Sequence, residues 1–214
     1  MLASPDRTED TPDVNPCLVY LASASPRRQE LLAQIRVRHS VHPVFVEEDV
    51  AAGEAPADYV VRVAREKAAK GWEETADKGL RVVLGADTSV VLDNAILGKP
   101  ANRAAAEDML RSLSGRTHVV YSAVSGVSSE GRETRLSCSK VTFRTLAPEE
   151  IAAYVATGEP MDKAGGYGIQ GLAAIFAARL EGSYSGVMGL PLFETADLLN
   201  ALGVRVLGPR PVVS

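Results

Sequence analysis

The chain alternates short apolar runs with longer stretches in which apolar positions recur every three or four residues. Residues 17–22 form a short apolar run that reads as a buried strand. A polar turn follows, Ser23-Ala24-Ser25-Pro26, and then a helical segment reaching Ile35, with Ser25 as its expected N-cap and Pro26 in the first turn. Residues 41–46 read as a strand ending in the acidic run Glu47-Glu48-Asp49. Residues 57–76 read as a long helix, with Tyr59, Val60, Val63, Ala64, Lys67 and Ala68 at helical spacing. The β-branched run 82–92 is a strand containing Gly85-Ala86-Asp87-Thr88, and Asp93-Asn94 turns it back through residues 95–97.

Residues 103–113 are expected to be helical, 118–128 and 134–144 to be paired strands around Glu130-Gly131, and 148–157 to be a helix entered through Pro148 and two glutamates. The Gly-rich segment 158–171 reads as irregular chain, 173–180 as a strand and 190–202 as the last helix. Strands and helices alternate, but two hairpins interrupt them. The pattern therefore predicts an α/β fold with a mixed, twisted sheet and flanking helices. Residues 1–16 are expected to be a disordered tail, 17–207 one domain and 208–214 a C-terminal tail.

Composition narrows the function classes. The 214 residues carry 23 Lys+Arg against 27 Asp+Glu, a formal charge of −4. This balance opposes a general nucleic-acid binder but leaves room for a local anion site. No apolar stretch is long enough to span a bilayer, so no membrane partner is expected. The two cysteines, Cys17 and Cys138, make neither a disulfide framework nor a zinc spacing, and the expected setting is the reducing cytoplasm.

The chemistry concentrates in a few places. Ser23, Arg27 and Arg28 lie at a strand-to-helix turn, where free N–H groups, hydroxyls and guanidiniums suit a phosphate; the plainer alternative is a capping serine with two solvated arginines. Asp87 stands among apolar strand residues and needs a partner, which a metal or general-base work would supply, as would a simple turn hydrogen bond. Lys99, between Gly98 and Pro100, can present an ammonium from a tight loop or merely mark a surface turn. The segment 162–171 holds Tyr167 and Gln170 on a glycine-rich backbone that a ligand can approach closely. Lys67, Lys70 and Glu48 read locally as solvated charges, and the three histidines show no metal spacing.

Taken in order, these motifs form a series. Ser-x-Ser-Pro-Arg-Arg-x-Glu-Leu-Leu (23–32), Gly-Ala-Asp-Thr (85–88), Gly-Lys-Pro (98–100) and Ser-Gly-Arg-Thr-His (114–118) come first. Glu-Pro-Met-Asp-Lys-Ala-Gly-Gly-Tyr-Gly-Ile-Gln-Gly (159–171) and Gly-x-Tyr-x-x-Val-x-Gly-Leu-Pro (182–191) complete it. The series, over residues 18–203, resembles the Maf family of septum-formation-inhibitor-like nucleotide pyrophosphatases, in the form of its dTTP/UTP branch. The resemblance implies two lobes around a central cleft, often as a homodimer, and hydrolysis of a nucleoside triphosphate to the monophosphate and pyrophosphate with Mg²⁺ or Mn²⁺. It implies Asp87 as general base, Ser23, Arg27, Arg28, Lys67 and Lys99 as phosphate ligands, and Asp87 with Glu48 at the metal. It also implies Arg27, Thr88 and Gln170 as determinants of base preference. A 7-methyl-GTP or other modified-nucleotide pyrophosphatase, and a non-catalytic nucleotide-binding regulator of septation, are the alternatives.

Overall fold

The computed structural model describes residues 18–75 and 81–207. The expected tails, and Cys17, lie outside the described residues. In chain order the elements are β1 (Leu18–Leu21), α1 (Pro26–Gln34), β2 (His39–Val41), α2 (Pro56–Glu74), β3 (Arg81–Leu92) and β4 (Ala95–Leu97). Then come α3 (Arg103–Leu113), β5 (Thr117–Ser128), β6 (Gly131–Phe143), α4 (Pro148–Ala156), β7 (Ala177–Glu181), α5 (Tyr184–Met188) and α6 (Leu192–Ala201). The mixed seven-stranded sheet runs β2-β1-β3-β5-β6-β7, with β4 on β3; β1 pairs in parallel with β2 and β3, and all other pairs are antiparallel.

The long strand β3 organises the core. Val82, Leu84 and Ala86 face α1 and α6 through Leu31, Leu32, Leu198 and Leu199. On the same strand face, Val90 and Leu92 belong to a second cluster with Leu110 and Leu113 of α3 and Ile151 of α4. The two clusters are the cores of two lobes that meet near Thr88. Helix α2 covers the opposite face, where Val60, Val63 and Ala64 pack on Ala123.

The sheet is forked at this meeting point. One edge of β3 pairs with β5 from Val83 to Val91. Its other edge pairs with β1 only as far as Leu84 and with β4 only from Val90. Among the described strands, residues 85–89 have no neighbour on that edge. Asp87 and Thr88 point to opposite faces of a strand, yet both open onto the gap.

Several expectations shift. The strand expected over 41–46 is instead β2, which stops at Val41: His42 N–H still reaches Leu21 O at 2.9 Å, but Pro43 has no N–H with which to extend the ladder. In the expected strand 173–180, residues Leu172–Phe176 form a 3₁₀ turn that buries Ala173 and Phe176 three apart, and only Ala177–Glu181 pair with β6. Short 3₁₀ turns also occupy Glu159–Asp162 and Ala164–Gly166 within the irregular segment. The five-residue α5, capped by Ser183 Oγ accepting from Gly186 N–H at 3.0 Å, went unforeseen because it is too short for a periodic signal. The Asp93-Asn94 hairpin turn is as expected, both residues adopting positive φ of 49° and 65°.

Candidate active site

The gap in the sheet opens into a cavity of about 680 Å³. Every residue to which the resemblance gives a role lines it: Ser23, Arg27, Arg28, Glu48, Lys67, Asp87, Thr88, Lys99 and Gln170. The elements converge from both lobes: the β1–α1 turn, α2, the unpaired stretch of β3, the loop after β4, and the Gly-rich segment before β7. Five cations line the wall (Arg27, Arg28, Lys67, Lys99, Lys163) against three carboxylates (Glu48, Asp87, Asp162), so the cleft is cationic in an acidic chain.

At the β1–α1 turn, Ser25 occupies the N-cap position, but its side chain makes no cap hydrogen bond. Just before it, Ser23 Oγ accepts from Ser25 N–H at 3.2 Å and from Arg28 Nη1 at 3.1 Å. The first-turn N–H groups of α1 therefore receive no side-chain cap from Ser25, and Pro26 contributes none. Arg28 is further fixed by Nε donating to Gly189 O at 2.8 Å. Burial lowers its guanidinium below the ordinary value, while the nearby Asp87 charge opposes that shift. Arg27 reaches across the cleft to Asp162, Nη1 to Oδ2 at 3.0 Å.

Asp87 meets α2. Lys67 Nζ donates to Asp87 Oδ1 at 3.0 Å and pairs with Glu48 Oε1 at 2.7 Å, so one ammonium bridges the two carboxylates. The Lys67 and Asp87 side chains are each only 10% exposed. Gly85 makes this approach possible: a Cβ there would run into the backbone at Ala64 O and Ala68 N, forcing α2 outward. Burial alone would raise Glu48, but the Lys67 hydrogen bond and charge, with Lys99 and Arg28, hold its carboxyl below the usual range. Tyr59 Oη donates to Glu48 O at 2.9 Å and holds that loop against α2. Burial, aided by the Asp87 and Glu48 charges, pushes the Tyr59 phenol up to about 12.

Glu48, rather than its neighbour Glu47, is the glutamate on the cleft wall. Lys67 sits there too, while Lys70, read locally in the same way, pairs with Glu74 at 3.7 Å outside it. Among the described residues no group of three or more His, Cys, Asp or Glu side chains gathers to hold a metal. The two carboxylates bridged by Lys67 are a hard-oxygen donor pair, which suits Mg²⁺ or Mn²⁺ when phosphate and water oxygens complete the shell.

Thr88 points to the opposite face of β3 from Asp87. Its Oγ1 lies 3.0 Å from Ser122 Oγ, which itself donates to Gly186 O at 2.5 Å. Gly189 O also lies 3.4 Å from Thr88 Oγ1, so one carbonyl faces both Arg28 and Thr88. The sequence pointed to this carbonyl only as part of the 182–191 motif. Tyr59 and Ser122 carried no site signal of their own, and Asp162 and Lys163 were marked only as part of the 159–171 motif. Tyr167 closes the inner wall, its Oη 2.7 Å from Nε2 of the buried His118 and its ring edge-on to Phe143. At the mouth stands Phe45, 93% exposed.

Known proteins can be set beside this geometry. The chain is 50% identical over 199 residues to a dTTP/UTP pyrophosphatase of Nitrosomonas europaea, covering 88% of this chain and 96% of that one. It is 55% identical to one of Alkalilimnicola ehrlichii (85% and 91% covered) and 50% identical to one of Methylobacillus flagellatus (92% and 99%). Among solved structures, a nucleoside-triphosphatase (dITP/XTP pyrophosphatase) from Mycobacterium abscessus aligns remotely, with TM-score 0.42 and 17% identity over 59% of this chain and 74% of that one. The model of the Maf-like protein family matches residues 18–202, almost the whole described fold including each wall of the cleft, and the chain belongs to that family.

Proposed function

We propose that this protein hydrolyses nucleoside triphosphates, dTTP and UTP foremost, to the monophosphate and pyrophosphate. The observation that carries the reading is the cationic cleft at the unpaired stretch of β3, with Asp87 buried on its wall beside Lys67. The names of relatives about half identical to this chain support the substrate class.

In this reading the first turn of α1, Ser23, Arg27, Arg28, Lys67 and Lys99 hold the triphosphate. Their charges act more strongly in a cleft than in open water. The Ser23 oxygen already accepts two donors, which leaves its own O–H to donate to a phosphate oxygen. Asp87 orients and deprotonates the water that attacks the α-phosphorus, and pyrophosphate leaves against the same cations. Lys67 holds the Asp87 carboxylate in place before substrate arrives. Asp87 and Glu48 would hold a divalent cation together with phosphate oxygens, and that ion supplies charge neutralisation and a more acidic water. Arg27, Thr88 and Gln170 set base preference; the Gln170 amide offers both a donor and an acceptor to a uracil-type edge. A cytoplasmic homodimer belongs to the same proposal.

The test is pyrophosphate release from a panel of triphosphates with Mg²⁺ or Mn²⁺, with Asp87→Asn in parallel. Release from dTTP and UTP that Asp87→Asn abolishes is the expected result. No release from any nucleotide would leave a binding cleft and favour a regulator. Preferred cleavage of 7-methyl-GTP would overturn the base assignment alone.

A further inference from the structure

Gln170 sits on a tight turn, Gly168-Ile169-Gln170-Gly171, closed by Gly171 N–H donating to Gly168 O at 3.0 Å. The turn is held from behind by two side chains outside the cleft lining. Tyr154 Oη, from α4, accepts from Gly168 N–H at 3.3 Å and donates to Glu159 Oε1 at 3.0 Å. Glu159 Oε2 accepts from Leu172 N–H at 3.1 Å. The pair therefore satisfies the backbone N–H two residues before Gln170 and the one two residues after it. The Glu159 carboxylate also lies where a Cβ on Gly171 would be, so it presses directly on the residue following Gln170. Lys163 completes the frame: Nζ donates to Glu159 O at 2.6 Å while its stem lies against Gly168.

Tyr154 is buried, its ring edge-on to Phe176 at 5.2 Å, so its hydroxyl is set by the core. Burial pushes its phenol well above the ordinary tyrosine value, which keeps the proton on the oxygen and the donor role to Glu159 intact. The chain is thus rigid on both sides of a residue whose own side chain faces the cleft.

We infer that Tyr154 and Glu159 are positioning residues for base selection: together they hold the Gly168–Gly171 turn so that the Gln170 amide is presented to the pyrimidine before substrate binds. This deepens the proposed function and rests on Gln170 reading the base. Neither side chain lies on the wall that holds the phosphates, so their loss acts on recognition rather than on the chemical step.

The test compares Tyr154→Phe, Glu159→Gln and Gln170→Ala with the parent on dTTP, UTP and dGTP. Tyr154→Phe keeps the ring in the core and removes only the hydroxyl. Its kcat/KM for dTTP and UTP should fall about tenfold, the scale of one buried hydrogen bond. The loss should lie in KM, with kcat nearly unchanged and the dTTP-to-dGTP preference reduced. Glu159→Gln keeps one acceptor of two and should lose less. Tyr154→Phe placed on Gln170→Ala should cost no further selectivity. An equal loss on dTTP and dGTP, or an additive double variant, would mean the pair merely stabilises the fold and would overturn the inference. If Gln170→Ala reduces selectivity and Tyr154→Phe does not, positioning fails while base reading by Gln170 stands. If Gln170→Ala leaves selectivity untouched, base reading and positioning fail together.

Discussion

At the phosphate end of the cleft, side chains of opposite charge hold one another. Lys67 lies between Glu48 and Asp87, and Arg27 reaches Asp162. At the Gln170 end, backbone N–H groups are held by a phenol and a carboxylate, over the aromatic packing of Tyr154, Tyr167, Phe143 and Phe176. The difference suits the two halves of a nucleotide. A triphosphate brings several charges, and Lys67 and Arg27, which already face carboxylates, exchange one anion for another when it binds. A base is neutral and is told from other bases by a few hydrogen bonds, so its reader has to be fixed in advance by bonds that do not exchange.

The largest effect should come from opening the charged end. Lys67→Met leaves Asp87 and Glu48 facing each other with no cation between them. Removing one partner of a buried pair costs about 3–5 kcal/mol, and the midpoint of thermal unfolding should fall accordingly, with pyrophosphate release lost. Unchanged stability would show that the bridge is not structural. Asp87→Asn should keep the fold and lose at least about two orders of magnitude in turnover, the scale of a lost general base; near-normal kcat would refute that role.

The aromatic end carries a different vulnerability. His118 is 1% exposed, and burial lowers its pKa from 6.5 to about 4. Its Nδ1 finds no hydrogen-bond partner among the described residues, so the doubly protonated ring would leave one N–H buried and unsatisfied. Between those two values the unfolded chain binds the proton and the folded chain does not. The associated stability is therefore fully present above about pH 6.5 and is lost as pH falls to about 4, by about 3 kcal/mol in all. Urea unfolding at pH 7 and pH 4.5 should show this slope, and His118→Phe should flatten it; an equal slope in the variant would place the acid sensitivity elsewhere.

Smaller effects separate the two ends in turnover. Lys99→Ala should raise KM about tenfold for every triphosphate, the scale of one charge-assisted contact; a change confined to one base would contradict its assignment to phosphate. Added salt should likewise raise KM for all triphosphates through screening while leaving the dTTP-to-dGTP preference constant. A preference that drifts with ionic strength would show that the two ends are not chemically separate.

The order of elements was legible because each rests on local chemistry: the apolar run of β3, the periodic face of α2, the Asp93-Asn94 turn that tolerates positive φ. The family was legible from motifs whose side chains act close to their own backbone. Boundaries failed where a neighbour decided them, as at Val41, where Pro43 ends a ladder that only the presence of β1 makes relevant. They failed again at Leu172–Phe176, where the core selected a 3₁₀ turn over a strand. Ser25 stands at the N-cap before Pro26 as expected, but its oxygen makes no cap bond, while Ser23 Oγ binds the Ser25 N–H and Arg28 across the turn.

The sequence by itself determined the candidates: residue type and local spacing marked the Ser23 turn and the acid in an apolar strand but left plainer readings open, and only the ordered series of motifs, through its resemblance to a family, implied roles for Asp87, Lys67 and Glu48. Only the tertiary structure decided that β3 loses its neighbour between Leu84 and Val90, so that Asp87 and Thr88 serve one cleft from opposite faces. It alone decided that Gly85 lets α2 come near enough for Lys67 to join Asp87 to Glu48, and that Tyr154 and Glu159 brace the turn carrying Gln170. The hydrogen bonds among those relations join positions 13 to 20 residues apart, and they exist only after sheet pairing and core packing have closed the chain on itself.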